Sequence, residues 1–239
     1  MPRCWTRIVW TMDVATNSVQ IETTVIAGWT GRNRTAMEHH IVELEAIGVA
    51  RPPRTPMFYR VSCQRLTTAR EIEASGSNSS GEVEFVLFQH GEELLVGVGS
   101  DHTDREVERY DITVSKQMCD KPIAAIFWPH ADVKDHWDEL VLRSYADELK
   151  ERVLYQEGSV AALLSPGVPV NACTGGADRL PSGTLMFGGT LPAIGGVRPT
   201  GHFEFALFDP VLKRRISHHY LIAAMPRSIQ NFNEKRVAP

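Results

Sequence analysis

Residues 81–88 read GEVEFVLF, and the prediction of the fold starts from this stretch. Successive side chains of a β-strand point to opposite faces, so Glu82 and Glu84 point the same way, with Cβ atoms about 6–7 Å apart. Val83 and Phe85 point to the other face, and the remainder of the stretch is apolar. The stretch therefore predicts a strand that runs into the core and presents two carboxylates where it enters.

A third carboxylate, Asp101, follows the next apolar stretch, ELLVGVGS at residues 93–100. A short turn through QHGE would pair the two stretches as a hairpin and return Asp101 to the side of Glu82. Carboxylates that point together repel each other, and a divalent cation makes such a group favourable. Ligands that are all oxygen favour Mg²⁺, Mn²⁺ or Ca²⁺ over zinc. A second interpretation stays open, because Glu-x-Glu on a strand is also typical of a solvated face.

The rest of the chain predicts more strands than helices. Between Met37 and Ile47, apolar residues recur at steps of three and four, which indicates an amphipathic helix. Thr35 to Glu38 has the spacing of a capping box at its start, and Gly48 is a stop signal. A second helix is predicted over residues 136–150, and strands are predicted at residues 19–27, 57–62, 82–88, 93–100, 109–115, 184–188, 203–208 and 216–224. Because short turns separate the strands, the predicted class is α+β, mostly β.

The composition is that of a globular protein and argues against several classes. The chain has 239 residues, of which 43% are hydrophobic, and a formal net charge of -4. No run of Lys or Arg forms a basic stripe, so nucleic acid is not an expected partner. No apolar run reaches the roughly 20 residues that span a bilayer, and the N-terminal residues lack the apolar core of a signal peptide. The four cysteines form no Cys-x-x-Cys pair, so we expect free thiols in a reducing cytoplasm.

Segments along most of the chain form an ordered set of motifs. A glycine-containing strand and loop, IAGWTGRN at 26–33, leads to the helix segment His40-Ile41-Val42-Glu43. The later segments are PPRTPMFYR at 52–60, GEVEFVLF at 81–88, DHTDRE at 101–106, SKQMCDKP at 115–122, SGTLMFGGTLPAIGG at 182–196 and HFEFALFDPVLKRRI at 202–216. This set, over residues 24 to 220, resembles the fumarylacetoacetate hydrolase superfamily, close to a group of bacterial proteins known only as a domain of unknown function.

The resemblance implies a fold and a domain organisation. The fold would be a mixed β-roll with a few peripheral helices. Residues 21–239 would form a single catalytic domain, preceded by an N-terminal extension at residues 1–20. Two interpretations of the extension stay open: it is poorly ordered, or the true start is Met12.

The resemblance also implies residues for the chemistry. Glu82, Glu84 and Asp101 would hold Mg²⁺ or Mn²⁺, with Ca²⁺ as a further candidate. The cation would bind two oxygens of a substrate and stabilise the negative charge that develops when a C–C bond breaks. Lys116 would add positive charge beside that oxygen. A surface lysine without a role is the alternative.

His40 is the candidate for the base, and Glu43 is the candidate for the residue that orients it. They lie one helical turn apart, so their side chains share a face. The carboxylate can orient the imidazole and raise its basicity, which prepares it to deprotonate water or substrate. His39 is a rival for the same role, and an exposed pair with no catalytic role is the alternative.

Four residues are candidates for substrate binding. Arg105 would pair with a substrate carboxylate or hold Asp101 and Asp104 in place, and Arg60 would contact a carboxylate. Gly189 and Thr190 would let backbone and hydroxyl donors approach the substrate closely. A turn glycine without a ligand is equally compatible with the sequence.

The chain departs from the family pattern at several positions. Asp104 replaces the usual alanine, Glu106 replaces aspartate, and Glu108 falls where some members place a catalytic glutamine. The segment between Glu84 and Asp101 is also shorter than usual. The metal ligands are retained despite these changes, so the departures bear on substrate recognition.

Together these patterns predict a metal-dependent enzyme in the cytoplasm, a homodimer by analogy. The expected reaction is hydrolytic C–C cleavage of a small acidic β-diketone or acylpyruvate-like 2-oxo acid. The alternatives are decarboxylation, isomerisation or (de)hydration with the same cation, or a ligand-binding protein without catalysis.

Overall fold

The computed structural model describes residues 10–14, 17–46, 51–148 and 151–228, without the side chains of residues 10–14, 17, 18, 40, 43, 44 and 46. The strands are β1 Trp10–Val14, β2 Asn17–Ile21, β3 Thr23–Gly28, β4 Met57–Val61, β5 Leu66–Thr67, β6 Glu71–Ser75, β7 Ser79–Ser80, β8 Val83–His90, β9 Glu93–Ser100, β10 Thr103–Asp104, β11 Lys121–Pro122, β12 Trp128–Pro129, β13 Val141–Glu148, β14 Glu151–Ser159, β15 Thr184–Thr190, β16 His202–Asp209 and β17 Arg214–Met225. The helices are α1 Arg34–Ala46, α2 Arg105–Glu108, α3 Ile112–Met118, α4 His130–Val133 and α5 Gly167–Thr174. Short 3₁₀ helices lie at Cys63–Arg65, Lys134–Glu139 and Val160–Ala162.

Two large sheets form the body of the protein. One has six strands in the order β12-β9-β8-β15-β3-β4, and the other has five in the order β14-β13-β16-β17-β6. Strand β15 runs parallel to β3, and β17 runs parallel to β6, whereas the other pairings within these two sheets are antiparallel. The predicted class, α+β and mostly β with a mixed β-roll, is therefore confirmed.

Strand β8 is apolar from Phe85 to Phe88 because it is buried there on both faces. Val83, Phe85 and Leu87 belong to a core cluster that also contains residues of the five-stranded sheet. Val86 and Phe88 belong to a second cluster on the opposite face. Alternation along the strand explains this division, and it places Glu84 on the second face, at the end where the strand begins.

The predicted hairpin is present and brings the third carboxylate back. Val83 pairs with Ser100 across β8 and β9, and Glu84 pairs with Gly99. The Asp101 amide donates to the Glu82 carbonyl at 3.0 Å. The strands predicted at 57–62, 184–188, 203–208 and 216–224 are also observed, as β4, β15, β16 and β17.

The strand predicted at residues 109–115 is wrong. These residues follow α2 and enter α3, and aspartates cap both helices. Asp104 accepts from the amides of Glu106 and Val107, and Asp111 accepts from the amide of Val114. Caps of this kind stabilise a helix start enough to override the β-propensity of a short Ile-Thr-Val run.

The helix predicted at residues 136–150 is also wrong. Its described part, residues 136–148, is a 3₁₀ turn followed by β13, which lies between β14 and β16. Alternate residues of β13 from Leu142 to Ala146 are buried, so its period is two, and the helical pattern was a misreading of a short amphipathic strand.

Helix α1 begins one residue before the predicted capping box. The side chain of Asn33 accepts from the Ala36 amide at 3.0 Å, so Asn33 is the cap and Thr35 lies inside the helix. The predicted stop at Gly48 lies outside the described residues.

The N-terminal region forms a hairpin of β1 and β2. Strand β2 crosses the expected boundary at residue 20, while residues 1–9 lie outside the described part of the chain. The division into 1–20 and 21–239 therefore stays a prediction. Among the described residues, no helix is both long and apolar enough to cross a membrane.

Candidate metal centre

Three carboxylates converge where β8 begins and β9 ends. Glu82, Glu84 and Asp101 each offer an oxygen atom, and these atoms all lie within 4.8 Å of one another. Glu84 and Asp101 are buried, and 17% of the Glu82 side chain is exposed. The structure thus brings together the three residues that the sequence predicted as metal ligands, in a group that could hold a divalent cation.

Two lysines hold the carboxylate of Asp101, one on each oxygen. The Lys116 ammonium forms a short contact with Oδ2 and lies 4.0 Å from a Glu82 oxygen. The Lys121 ammonium lies 3.1 Å from Oδ1. Burial alone would raise the pKa of Asp101, but the two ammonium groups lower it to about 2. Asp101 is therefore fully ionised near neutral pH.

The pKa of Glu84 is shifted in the opposite direction. Burial and the negative charge of Asp101 raise its pKa well above 4.5, although the Gly189 amide donates to its Oε2 at 2.7 Å. Burial also raises the pKa of Glu82, against the lowering effect of Arg105. A pair of buried carboxylates that resist ionisation beside a third is the situation that a bound cation relieves.

Arg105 is committed to the protein itself. Its Nε donates to the Ser80 hydroxyl at 2.7 Å, one terminal nitrogen donates to Glu108 at 2.8 Å, and the other lies 3.2 Å from Glu82. These contacts are with Glu82 and Glu108, whereas the predicted structural role named Asp101 and Asp104, so both roles predicted for Arg105 stay predictions.

The turn at Gly189 and Thr190 borders the cluster. Gly189 has a φ of 108°, and a Cβ there would lie 1.7 Å from the Thr30 hydroxyl, so no other residue fits. The Thr190 hydroxyl donates to the Val83 carbonyl at 2.8 Å. Because the Gly189 amide and the Thr190 hydroxyl both donate to protein atoms, their predicted role toward a substrate stays a prediction.

Arg60 lies away from the cluster. It is exposed in β4, next to Tyr59, whose ring lies 5.9 Å from the Lys116 ammonium. Neighbours in a strand face opposite ways, so Arg60 points from the other face of the sheet. The side chains of His40 and Glu43 lie outside those described, although both residues are in α1.

Four buried polar residues form a layer beneath the carboxylates, here called the site floor: Ser100, His102, Lys121 and Tyr220, each fully buried. The Tyr220 hydroxyl lies 2.9 Å from the Ser100 hydroxyl and 2.9 Å from Nδ1 of His102. Burial and the charge of Lys121 lower the pKa of His102 to about 3, so the imidazole is neutral. The floor is thus a connected hydrogen-bonded network.

Gln156 connects the start of β8 to the turn after β15. Its side-chain oxygen accepts from the Val83 amide at 3.0 Å, and its nitrogen donates to the Thr190 hydroxyl at 2.8 Å. Sequence reasoning missed both Gln156 and the floor. The sequence carries little signal for them, since Lys121 stands beside Asp120 where an apolar stretch begins.

Comparison with known proteins agrees with this architecture. The family described as "Protein of unknown function (DUF2848)" matches residues 27–220. A fumarylpyruvate hydrolase from Pseudomonas aeruginosa, solved with Mn²⁺ and pyruvate, has 14% identity and a TM-score of 0.64, covering 94% of this chain and 100% of the other.

Two further solved structures share the fold. A yeast fumarylacetoacetate hydrolase family protein has 16% identity and a TM-score of 0.62, covering 90% of this chain and 97% of its own. A 2-hydroxyhepta-2,4-diene-1,7-dioate isomerase from Mycobacterium marinum has 15% identity and a TM-score of 0.59, covering 86% and 77%. No curated protein matches the chain. At these identities the likeness establishes the fold and leaves the reaction open.

Proposed function

This chain belongs to the family described as protein of unknown function (DUF2848) and has the fold of a fumarylacetoacetate hydrolase family protein, and from that premise we propose a specific activity for it. The proposed protein is a hydrolase, dependent on Mg²⁺ or Mn²⁺, that cleaves a C–C bond in a small acidic β-diketone or acylpyruvate-like 2-oxo acid. Structural neighbours that are a hydrolase and an isomerase support enzymatic activity in general.

The observation that carries the proposal is the convergence of Glu82, Glu84 and Asp101 in a buried group. Their all-oxygen donor set fits Mg²⁺ or Mn²⁺. The raised pKa of Glu84 also fits, because a cation would remove the cost of ionising that buried side chain. A cation bound there would supply an electrophile for a substrate carbonyl.

The chain's own residues would do the remaining work. Of the two lysines beside Asp101, Lys116 is the one that reaches the surface of the site, with 8% of its side chain exposed. Its ammonium can donate to a substrate oxygen that gains negative charge. Arg105 and the Gly189 amide hold Glu82 and Glu84 in place.

By sequence spacing, His40 is proposed as the base for water. Glu43, one helical turn away, would orient the imidazole and stabilise it once it has taken the proton.

Titration calorimetry with Mn²⁺ and Mg²⁺, with and without oxalate, tests the metal site. We expect the wild type to bind and Glu82→Ala/Glu84→Ala to lose binding. A matched control is Glu71→Ala/Glu73→Ala, because these residues form an exposed Glu-x-Glu pair on β6. The control should bind like the wild type, and equal binding by the Glu82/Glu84 variant would refute the proposed site.

Turnover of a panel of acylpyruvates and oxaloacetate by the Mn²⁺-loaded protein tests the reaction. Pyruvate with a second carboxylic acid would support hydrolysis, whereas CO₂ release or rearrangement of the substrate would support the alternatives. Metal and oxalate binding without turnover of any compound would favour a ligand-binding role. His40→Ala should lose hydrolysis and keep metal binding, whereas His39→Ala should keep both; the reverse result would assign the base to His39.

A further inference from the structure

Lys121 is buried completely, yet it carries an ammonium group in the site floor. No part of its surface is exposed, so it cannot touch a substrate. It lies at the start of β11, where it pairs with Leu66 of β5. A buried charge is costly unless it is paired, so the two groups that its ammonium contacts define what it does.

Both groups, the Asp101 carboxylate and the His102 carbonyl, belong to the segment that follows β9. The ammonium lies 3.1 Å from Oδ1 of Asp101, and it also donates to the carbonyl of His102 in a short contact. Lys121 therefore holds this segment at two points, one on the side chain of Asp101 and one on the backbone that follows it. Because Lys116 holds Oδ2, the carboxylate plane cannot rotate without breaking an ion pair.

We propose that Lys121 is a positioning residue that fixes Asp101 in the orientation needed for cation binding with Glu82 and Glu84. The inference rests on the proposed metal site. It assigns different roles to two lysines that are five positions apart in the chain. Lys116 works at the surface of the site, and Lys121 works beneath it.

Two roles are conceivable for Lys121, as a nearby charge or as a positioning residue, and they predict opposite changes in cation affinity when it is replaced by methionine. If only its charge matters, removing a cation next to the site should tighten the binding of every divalent ion. If it positions Asp101, the loosened site should bind less tightly. Mg²⁺ should suffer most, because it demands near-ideal octahedral geometry, whereas Ca²⁺ accepts flexible sites.

The experiment is calorimetric titration of Mg²⁺ and of Ca²⁺ into the full-length wild type, Lys121→Met and the exposed-lysine control Lys134→Met. We expect Mg²⁺ affinity of Lys121→Met to fall about 10-fold or more, in the range seen when residues behind metal ligands are changed. Ca²⁺ affinity should fall by about 3-fold at most, because its coordination is flexible. Lys134→Met should match the wild type for both ions.

The ratio of the two affinities separates positioning from loss of folded protein, which would lower both by the same factor. Should Lys121→Met fail to fold, Lys121→Gln, which keeps a donor and is uncharged, is judged by the same ratio. An unchanged ratio, or tighter binding of both ions, would overturn the positioning role while leaving the metal site standing. Binding of neither ion to the wild type would overturn the proposed metal site together with this inference.

Discussion

The site floor and helix α1 are built in opposite ways. Every residue of the floor is fully buried, and its polar atoms are largely bonded to one another. In α1, Ile41 is the one buried side chain among those described, and exposed ion pairs join Arg51 to Glu38 and Glu45. Substitutions in the floor should therefore change stability and metal binding together, whereas substitutions at the exposed positions of α1 should change neither.

The largest expected effect comes from the core that supports β8. Phe85→Ala should lower the free energy of unfolding by about 3–5 kcal/mol, because the ring is fully buried and meets Trp137 edge-on at 5.1 Å. In α1, Val42→Ala should change it by less than about 0.5 kcal/mol, since Val42 is 52% exposed. Urea denaturation measures both. Similar losses for the two variants would contradict the difference in burial between the core that supports β8 and helix α1.

An intermediate effect is expected when one hydroxyl is removed from the floor. Tyr220→Phe keeps the ring but leaves Nδ1 of His102 and the Ser100 hydroxyl without their shared partner. A buried polar group without a partner costs about 1–3 kcal/mol. The matched control is Tyr110→Phe, because Tyr110 is 85% exposed.

Thermal and urea denaturation of the two tyrosine variants give the comparison. Tyr220→Phe should also weaken Mg²⁺ binding, because His102 follows Asp101 directly. Equal stability of the two variants would show that the hydroxyl network contributes nothing measurable to the floor.

The carboxylate cluster was predictable because its parts are close in sequence. Alternation along residues 82–88 fixes the shared face of Glu82 and Glu84, and the short hairpin returns Asp101. Nothing beyond a strand, a turn and a strand had to be inferred.

The floor and Gln156 were not predictable, because their roles depend on pairings between distant segments. Gln156 bonds to Val83, and Tyr220 bonds to Ser100 and His102. These contacts exist only once the two sheets pack together. The local sequence pattern also predicted the wrong element in two places. At residues 109–115 the Asp111 cap favours a helix over the predicted strand, and β13 is a short amphipathic strand where a helix was predicted.

The smallest expected effect is on the pH dependence of stability, and it involves His218. This residue lies two positions before Tyr220 on β17, so both side chains point to the same face. Burial keeps the pKa of His218 below its usual value of 6.5, even though its Nε2 donates to the Ala69 carbonyl at 3.0 Å, and the positive charge of Arg70 adds to the lowering. The unfolded chain therefore binds this proton more readily than the folded protein. The stability that neutral His218 contributes is present above about pH 6.5 and is lost as the pH falls below it.

His218→Gln should accordingly flatten the fall in unfolding free energy between about pH 6.5 and pH 5, because glutamine binds no proton in either state. Urea denaturation at a series of pH values measures the slope, and Arg51→Gln is the control, since Arg51 pairs with Glu38 and Glu45 of α1 and arginine stays charged throughout. Parallel curves for wild type and His218→Gln would show that burial at this edge of the floor does not disfavour the charged imidazole. A flatter curve for His218→Gln alone would extend the contrast between the buried floor and the exposed helix to the outer edge of β17.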